Sequence, residues 1–379
     1  MTVPRRLART GAVLLLVVLI GPALLVPPVH ATYAGDRPFS LADGGTVTGD
    51  VWYSFGDSAY RGAMQPGESY PVEIPVTLPV GATVRTARLQ VFWTWSHDGT
   101  NGLLPDLEVS LDGTVLPAGT RHADRKGSGA YDYPFGLDAW NVTGQVRGSG
   151  VHRVTVSNAG TGGREVSLYG AALLVVYEDA GMPRCRYWVR EGADLLFNTT
   201  GVTADQATTS TTFDGVPATG LVRSARLLTV VPGADKGESK SNELFLNGYS
   251  LGAVDAPGTA MQVAVNTTDV LPYLREGANT LVVQDRGDCM IPGVFVLTVV
   301  EADGPALRPV PPLTVLPRDL DQDGICEDVN GNGRRDFSDI VVYFTSMSWI
   351  AENEPVASFD ANRNKRIDFN DIVLLFNRL

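Results

Sequence analysis

The chain has few residues that could build a disulfide framework or a zinc site. Three of its 379 residues are cysteines, Cys185, Cys289 and Cys326, so at most one internal disulfide can form, and Cys185–Cys289 is a possible pair. Four residues are histidines, and neither His122 nor His152 has a Cys or His nearby at the spacing of zinc ligands. The fold must therefore be held together by its core.

The sequence also lacks a recognisable catalytic set. Ser96, His97 and Asp98 are consecutive, and adjacent side chains cannot fold onto one another as a catalytic triad. Acidic residues are numerous enough that a glycosidase carboxylate pair remains an alternative, although no pair stands out. We therefore expect a protein that is not an enzyme.

Long apolar runs are scarce. The one example, Gly11–Val26, follows three arginines and precedes Val29-His30-Ala31, whose small residues suit signal-peptidase cleavage. We predict a signal peptide over residues 1–31, removed before Thr32. An uncleaved anchor is the alternative, but the run is short for a membrane span. The mature protein is expected to be soluble and secreted or held at the cell surface, with no membrane insertion after cleavage.

The charge of the chain is predominantly acidic. It has 42 Asp and Glu against 30 Lys and Arg, a formal net charge of −12, and removal of the three arginines with the signal peptide makes it −15. An acidic surface repels a phosphate backbone, so we expect no nucleic-acid partner. Three Asn-X-Thr sequons, at Asn141, Asn198 and Asn266, favour glycosylation of an exported protein.

Residues 32 to about 303 alternate apolar and polar side chains in short runs separated by Gly, Asp, Asn and Pro. Such runs predict β-strands, and many short strands suggest a β-sandwich or jelly roll. The pattern repeats in order: Val84–Leu89 resembles Val222–Leu227, and each half ends on a long apolar strand, Ala171–Asp179 or Val294–Asp303. A strand that is apolar at successive residues is expected to be buried on both faces.

Four regions are therefore expected after the signal peptide. Two similar β-sandwich or jelly-roll-like lobes, 32–180 and 181–303, make the chain mainly β. A Pro-rich segment, 304–317, is expected to be an extended linker that holds the following module away from the lobes. Residues 318–379 are expected to form a small α-helical module.

Aromatic side chains offer a possible carbohydrate surface. Trp93 and Trp95 are predicted to lie on one strand face, where a sugar-stacking platform is possible but a place in the core is favoured. Better candidates for exposed contacts lie in a Gly- and Asp-rich stretch, at Tyr131, Tyr133, Phe135 and Trp140.

The C-terminal module contains a twelve-residue loop written twice, 328–339 and 360–371. Calcium takes oxygen ligands from positions 1, 3, 5, 7, 9 and 12 of such a loop, with position 7 acting through its carbonyl. The first loop supplies Asp328, Asn330, Asn332, the Arg334 carbonyl, Asp336 and Asp339, and the second supplies Asp360, Asn362, Asn364, the Arg366 carbonyl, Asp368 and Asp371. Two Ca²⁺ sites are predicted, with weak to moderate affinity because Asn replaces Asp at four ligand positions.

Each loop leads into an apolar run, Ile340–Phe344 or Ile372–Phe376. We predict that a helix begins just after Asp339 and just after Asp371. The i, i+4 spacing of Ile and Phe places both on one helix face, and the two helices are expected to bury these faces against each other.

A third acidic string precedes the first loop. Asp319, Asp321 and Asp323 alternate with other residues and are followed by Gly324, and the Ile325 carbonyl could complete a site for a third Ca²⁺. The string resembles the acidic repeats of thrombospondin-type calcium loops. The alternative, a solvated acidic linker, is disfavoured by the regular order of the string.

The segment from about 318 to 379 resembles a dockerin, the paired calcium-loop module that binds cohesin domains in scaffolded assemblies. The resemblance rests on the two loops, on Asp rather than Glu at position 12, and on the loop–helix repeat. It departs at Lys365, where position 6 favours glycine, and at Arg335, where an aliphatic residue such as Ile367 is usual. It implies Ca²⁺-dependent binding of a cohesin-like or other surface protein.

The β region is similar to an uncharacterised family of exported archaeal proteins found chiefly in methanogens. The similarity rests on Tyr187–Gly192, on Trp140–Thr143 and on the two closing strands, and it carries no known catalytic residues. Together these features favour a secreted, non-catalytic β-protein that joins an extracellular assembly through a Ca²⁺-dependent module. The alternative is a carbohydrate-binding or polysaccharide-degrading component of a cohesin–dockerin-type complex.

Overall fold

The computed structural model describes residues 33–126, 132–199, 201–234, 242–254, 262–287, 289–301, 307–321, 323–364 and 366–379. The predicted signal peptide, Tyr131 and Lys365 lie outside these residues. The described chain is mainly β, as the sequence predicts, and its three α-helices lie near the C-terminal end.

The elements follow one another in a simple order, strands first and helices last. The strands are β1 Ser40–Ser54, β2 Arg61–Met64, β3 Ser69–Val76, β4 Thr83–Asp98, β5 Asn101–Gly102, β6 Leu107–Leu111, β7 Thr114–Val115, β8 Thr120–Asp124, β9 Phe135–Asn141, β10 Gly150–Asn158, β11 Arg164–Glu178, β12 Arg184–Glu191, β13 Thr208–Val216, β14 Val222–Pro232, β15 Glu243–Leu246, β16 Tyr249–Ala253, β17 Val263–Asp269, β18 Gly277–Gln284 and β19 Val294–Glu301. The helices are α1 Phe337–Asn353, α2 Val356–Phe359 and α3 Phe369–Phe376.

Eleven strands form one large sheet. Its main path runs β17-β14-β19-β12-β1-β11-β4-β9-β8, and β2 and β5 pair with β11 and β4 beside that path. Strand β1 joins the two halves of the sheet, because the residues up to Thr48 pair with β12 whereas those from Gly49 onwards pair with β11.

The strand order repeats between the two halves of the β region. In the first half the large sheet runs β1-β11-β4-β9 and a four-stranded sheet runs β3-β10-β6-β7, and in the second half β12-β19-β14-β17 and β13-β18-β15-β16 take the same places. The matching segments 84–89 and 222–227 lie in the corresponding strands β4 and β14. The predicted boundary at residue 181 falls in the turn between β11 and β12.

The apolar side chains of alternating strands explain how the sheets pack. In the first half, Ile74 of β3 and Leu173 of β11 belong to one core. In the second half, Leu281 of β18 and Leu297 of β19 belong to another. Each four-stranded sheet therefore covers half of the large sheet, and burial of nearly every residue of β11 confirms the interpretation of that strand.

A third core lies where the two halves meet. Its side chains come from the opposite face of the large sheet, such as Val176 of β11 and Val296 of β19, and from the segment after β12, such as Leu195. Arg88 of β4 also reaches across the contact and donates to the Glu191 carboxylate of β12, at 2.8 Å from Nε and 2.6 Å from Nη2.

Aromatic side chains of the first half mostly lie in the core. Trp93 is fully buried, which is the alternative that the sequence favours. Trp95 packs differently: its backbone has a φ of 51°, and its ring lies edge-on to those of Tyr133 and Phe135. The prediction that Phe135 and Trp140 are exposed is wrong. Both belong to β9, which lies between β4 and β8 in the sheet, and both are buried.

Disulfide bonds do not hold the described part of the fold together. Cys185 of β12 is a buried free thiol, so the possible Cys185–Cys289 disulfide is not formed. Cys326 is also a buried free thiol. Burial raises the pKa of Cys185 to about 12, which leaves this thiol protonated and unreactive at neutral pH.

The C-terminal module has its own core, and Tyr343 of α1 and Leu375 of α3 both belong to it. The prediction that the Pro-rich segment is a spacer is wrong for its described part, 307–317. Val310 is fully buried in the core of the module, and the Leu307 N–H donates to the Gly220 carbonyl oxygen at 2.8 Å. None of the helices that the structure describes has the length and apolar run needed to traverse a bilayer.

Candidate metal centre

Short backbone hydrogen bonds organise the first loop. The Asp328 carboxylate accepts from the N–H groups of Asn332 at 2.8 Å and Gly333 at 2.7 Å. The Asn330 side chain accepts from the same Asn332 N–H at 3.0 Å, and the Asn332 side chain accepts from the Arg334 N–H at 2.8 Å. Gly333 has a φ of 83°, the left-handed conformation expected at position 6. One turn of backbone therefore carries the oxygens of positions 1, 3 and 5.

The second loop repeats these bonds at the corresponding positions. Asp360 and Asn362 both accept from the Asn364 N–H, at 2.9 and 3.0 Å. The Asn364 side chain accepts from the Arg366 N–H at 2.9 Å. The repeated sequence therefore gives a repeated local geometry.

Asp339 and Asp371 close the two loops. Asp339 accepts from the N–H groups of Asn330 at 3.1 Å and Asp336 at 2.9 Å, and Asp371 makes the corresponding two bonds in the second loop. Both carboxyls are buried, and burial raises their pKa. The prediction that they precede the helices is wrong, because Asp336 and Asp368 act as N-caps and the closing carboxylates complete capping boxes within the first turn.

The acidic string has the hydrogen-bond pattern of the two loops. Asp319 accepts from the Gly324 N–H at 2.7 Å, and Asp323 accepts from the Ile325 N–H at 2.9 Å. Carboxylate oxygens of four residues all lie within 4.8 Å of one another, those of Asp319, Asp321, Asp323 and Glu327. The string is therefore a folded loop whose carboxylates converge.

Glu327 is a candidate ligand that the sequence analysis missed. It is 1% exposed. Burial raises its pKa to about 7, and the neighbouring Asp321 carboxyl adds to the shift. Spacing was the available signal, because Glu327 follows Asp319 at the same interval as the position-9 residue Asp336 follows Asp328.

Two arginines approach the acidic string. Arg335 Nη1 lies 3.5 Å from Asp321, and Arg378 Nη1 lies 3.4 Å from Asp323. All four side chains are partly exposed, so each ion pair contributes under about 1 kcal/mol. Arg335 is the residue at which the first loop departs from the dockerin pattern, and its position gives it a role in charge balance.

The donor set fits a hard divalent cation. All three loops offer carboxylate, amide or carbonyl oxygens, which suit Ca²⁺ and not the softer metals that prefer nitrogen and sulfur. Converging carboxylates repel one another unless a proton or a cation lies between them. Burial, more than this repulsion, raises the pKa of Glu327.

The apolar face predicted between the helices is partly exposed. Phe344 and Phe376 are 58% and 51% exposed, so the prediction that they bury each other is wrong. The core instead receives Tyr343 and Leu375, which lie three residues after the buried Ile340 and Ile372 and one residue before each phenylalanine.

Four exposed phenylalanines of α1 and α3 form two edge-to-face pairs. Phe337 pairs with Phe376 at a ring-centroid distance of 6.3 Å, and Phe344 pairs with Phe369 at 6.0 Å. Phe337 and Phe369 occupy the same position in the two repeats, as do Phe344 and Phe376. We call these four residues the aromatic face.

The predicted glycosylation sites differ in exposure. Asn141 is exposed at the end of β9. Asn266 of β17 is half-buried, and its Nδ2 atom is inaccessible, so a glycan there would require a local rearrangement. The third sequon, which begins at Asn198, ends on Thr200, outside the described residues.

A family model described as "Protein of unknown function (DUF3344)" matches residues 32–300. A comparison with curated proteins found no match.

Several solved structures show low similarity to the chain. An alpha-L-rhamnosidase of Streptomyces avermitilis is 17% identical with a TM-score of 0.19, over 71% of this chain and 28% of that one. A peptide-N(4)-(N-acetyl-beta-D-glucosaminyl) asparagine amidase is 11% identical with a TM-score of 0.26, over 68% and 98%. Latent PorU from Porphyromonas gingivalis is 12% identical with a TM-score of 0.24, over 69% and 22%. At these scores the likenesses assign no activity to the chain.

Proposed function

Over residues 32–300 the chain belongs to the family described as protein of unknown function (DUF3344), and because that description assigns no activity, we propose a function from the residues themselves. The protein is an exported, non-catalytic β-protein that docks into an extracellular or cell-surface assembly through a Ca²⁺-dependent, dockerin-like module at residues 318–379. The β region forms two β-sandwich lobes, and the module attaches these lobes to the assembly.

One observation carries the proposal. Three consecutive loops share one hydrogen-bond pattern, in which the side-chain oxygen at position 5 accepts from the N–H at position 7, as for Asn332, Asn364 and Asp323. Two of the loops also end in a buried Asp that lies in the first turn of a helix and completes its capping box. Cation binding and helix formation therefore depend on the same carboxylates, which is how a Ca²⁺ ion would order the docking helices.

The aromatic face supplies the contact surface. Exposed apolar side chains that recur on neighbouring helices mark protein contact sites, and aromatic residues are favoured at the centres of such sites. Val341 and Val373, which occupy the same position in the two repeats, are also exposed. The expected partner is a cohesin-like or other surface protein with an apolar docking patch.

Calcium dependence is tested on the full chain by thermal unfolding in EDTA and in Ca²⁺. We expect Ca²⁺ to raise the Tm of the wild type, and we expect the combined substitution Asp328→Ala, Asp360→Ala and Asp321→Ala to abolish that increase. Glu352→Ala removes an exposed acid of α1 outside the loops and should leave the increase unchanged. A wild-type Tm that is the same in Ca²⁺ and EDTA would rule out the proposed mechanism.

Docking is tested by binding of the full chain to purified cohesin-like domains. The double substitution Phe344→Ser, Phe376→Ser should weaken binding by at least tenfold and leave the Ca²⁺-dependent Tm unchanged, because both side chains are exposed. Val151→Ser removes an exposed apolar residue of β10 and serves as the control. Binding that survives EDTA, or that the double variant retains, would contradict the proposal.

A further inference from the structure

A buried lysine lies among three carboxylates just after β8. Lys126 is fully buried, and its Nζ lies 2.6 Å from Asp36, 2.8 Å from Asp124 and 3.2 Å from Asp194. The Nζ also donates to the carbonyl oxygen of Ala34 at 2.9 Å. Four acceptors therefore share the three protons of one ammonium group. The three carboxylates lie close enough to hold a metal, but the ammonium already lies among them.

The cluster connects the two halves of the β region. Asp124 is the last residue of β8, and Lys126 lies two residues after it. Asp194 follows β12, the first strand of the second half. Asp124 also accepts from the Leu195 N–H at 2.8 Å, which holds the Asp194 segment against Lys126. Both Asp124 and Asp194 are fully buried, while Asp36 is about half exposed on the solvent side.

The charges of the cluster do not balance if every group is ionised. Arg37 and Lys126 supply two positive charges, and Asp36, Asp124 and Asp194 would supply three negative ones. The most buried acid that lacks an arginine partner is the one to hold a proton. Burial raises the pKa of Asp194 despite the opposing effect of Lys126.

We propose that Lys126 and Asp194 form an intramolecular isopeptide bond, a covalent amide between the Lys126 Nζ and the Asp194 side-chain carbonyl, with Asp124 as the proton-transferring group. The proposal rests on the three buried side chains and their distances, and it is independent of the proposed docking function.

The reaction balances without an oxidant or a cofactor. The Lys126 ammonium first transfers a proton to the Asp124 carboxylate, which lies 2.8 Å away. The neutral amine then attacks the carboxyl carbon of protonated Asp194, the Nζ–Cγ bond forms, and one Cγ–O bond breaks as water leaves. Of the four protons held by the ammonium and the acid, one remains on the amide nitrogen, two leave in the water and one remains on Asp124. Charge is conserved.

The surroundings of Lys126 oppose the initial loss of its proton and favour the later attack on Asp194. Although burial lowers the pKa of Lys126, the carboxylates of Asp194 and Asp124 raise it further, so the ammonium is the resting form. Lys126 Nζ is nevertheless held 3.2 Å from an oxygen of the Asp194 carboxyl group, and pairs fixed in a reactive geometry reach effective concentrations on the order of 10⁵ M or more. Exclusion of water from a buried site also protects the amide from hydrolysis.

Mass spectrometry of the purified wild-type chain tests the proposal directly. We expect an intact mass lower than that of the sequence by one water, with the actual N-terminus read from the same sample. Trypsin should not cleave after Lys126, and a linked peptide should join the segments that contain Lys126 and Asp194. An intact mass equal to that of the sequence, or separate unmodified peptides that contain these two residues, would overturn the proposal.

Two substitutions assign the chemistry if the wild type is linked. Lys126→Arg keeps the positive charge but removes the amine, and it should restore the full mass. Asp194→Asn keeps an electrophilic carbonyl, so the bond should still form with loss of ammonia in place of water. A linked peptide in Lys126→Arg would show that another pair reacts, and that outcome would also overturn the assignment.

Discussion

At the scale of single residues, the two twelve-residue loops differ at position 4. Gly331 has a φ of 69° and Arg363, at the same position of the second loop, has a φ of 58°. Only glycine adopts this left-handed conformation without a steric penalty from a Cβ atom. Gly331 is also restricted by packing, because a Cβ there would lie 2.6 Å from the Leu316 carbonyl oxygen, whereas Arg363 is exposed.

The substitution Arg363→Gly should stabilise the module. It removes a strained left-handed residue without loss of a buried contact, and we expect a gain of up to about 1 kcal/mol in the free energy of unfolding. The measurement is urea denaturation of the full chain in EDTA.

Arg366→Gly is the matched control for Arg363→Gly. It removes the same exposed side chain from a residue that is not left-handed, so it should destabilise by roughly 0.5–1 kcal/mol through the entropy of the unfolded chain. Equal effects of the two substitutions would show that backbone strain at Arg363 is not significant.

A second residue-scale feature is a buried acid at the end of α1. Glu354 accepts from the Arg308 N–H with both oxygens, at 3.0 and 3.3 Å. Burial raises the pKa of Glu354 from 4.5 to about 7. The folded chain therefore favours the protonated acid. Its contribution to stability is fully present below pH 4.5 and is lost as the pH rises to about 7.

The substitution Glu354→Gln should remove this pH dependence. Gln keeps an oxygen for the Arg308 N–H and never ionises, so the variant should be more stable than the wild type at pH 8 by roughly 1–3 kcal/mol and no more stable at pH 4.5. Thermal unfolding in EDTA across this pH range gives the difference. Glu352→Gln, at an exposed position of α1, should show a difference that does not vary with pH.

Single residues were predictable from the sequence where the information is local. The loop positions of Asp328 and Asp360 follow from spacing alone, because the same residue types and the same hydrogen-bond pattern recur in the two twelve-residue loops. Glu327 was missed although its spacing from Asp319 matches position 9 of the other two loops, because its convergence with the acidic string is evident only in the folded loop. Phe344 was misplaced because the buried side of the helix passes through Ile340 and Tyr343, an i, i+3 spacing, and not through the i, i+4 pair of Ile and Phe.

At the scale of elements, the edge of the large sheet depends on one glycine. Gly136 of β9 lies between Trp93 of β4 and the backbone of β8, and an added Cβ would lie 2.3 Å from the Trp93 ring and 2.4 Å from the His122 carbonyl oxygen. These strands also hold Asp138, which accepts from Trp93 Nε1 at 3.2 Å and from two nitrogens of Arg121 at 2.8 and 2.6 Å.

The substitution Gly136→Ala should therefore destabilise the chain by about 1–3 kcal/mol, because backbone on one side and a buried indole on the other cannot both yield. Gly144→Ala is the control, since no atom lies within 4 Å of its added Cβ, and its effect should stay within about 0.5 kcal/mol. Urea denaturation compares the two variants. A neutral Gly136→Ala would mean that β8 can separate from β9 at little cost.

Element types were easier to predict than element partners. Strand β11 is recognisable from its continuous apolar run, and α1 and α3 follow from the apolar residues after each loop. The burial of Trp140 was not predictable, because it depends on the pairing of β9 with β8. Local patterns specify whether a segment is extended, whereas its neighbour in the sheet depends on the whole topology.

At the scale of the whole molecule, the repeated sequence predicted two similar halves, but it did not indicate that they share one sheet. The pairing of β1 with both β11 and β12 makes a common sheet, and a third core fills the contact between the halves. Nothing in a single strand marks it as a bridge between two repeats, so this contact could not be read from the pattern. It implies that the halves stabilise each other.

Two ion pairs that cross between the halves test this implication at different depths. Glu191 is fully buried and accepts from Arg88 and from Gln90 Nε2, the latter at 2.8 Å. Asp50 of β1 and Arg226 of β14 form a pair at 2.5 Å, but the Arg226 side chain is 46% exposed. A buried pair that loses one partner leaves an uncompensated charge, whereas an exposed pair is screened by solvent.

The substitution Glu191→Ala should therefore lower the free energy of unfolding by about 3–5 kcal/mol, because it leaves the Arg88 guanidinium without its carboxylate partner in the contact between the halves. Arg226→Ala should cost under about 1 kcal/mol. Urea denaturation followed by tryptophan fluorescence measures both, and one transition is expected in each case if the halves unfold together. If Glu191→Ala splits the transition in two, the halves are stable alone and the contact only holds them side by side. If its cost equals that of Arg226→Ala, the buried pair does not stabilise the contact.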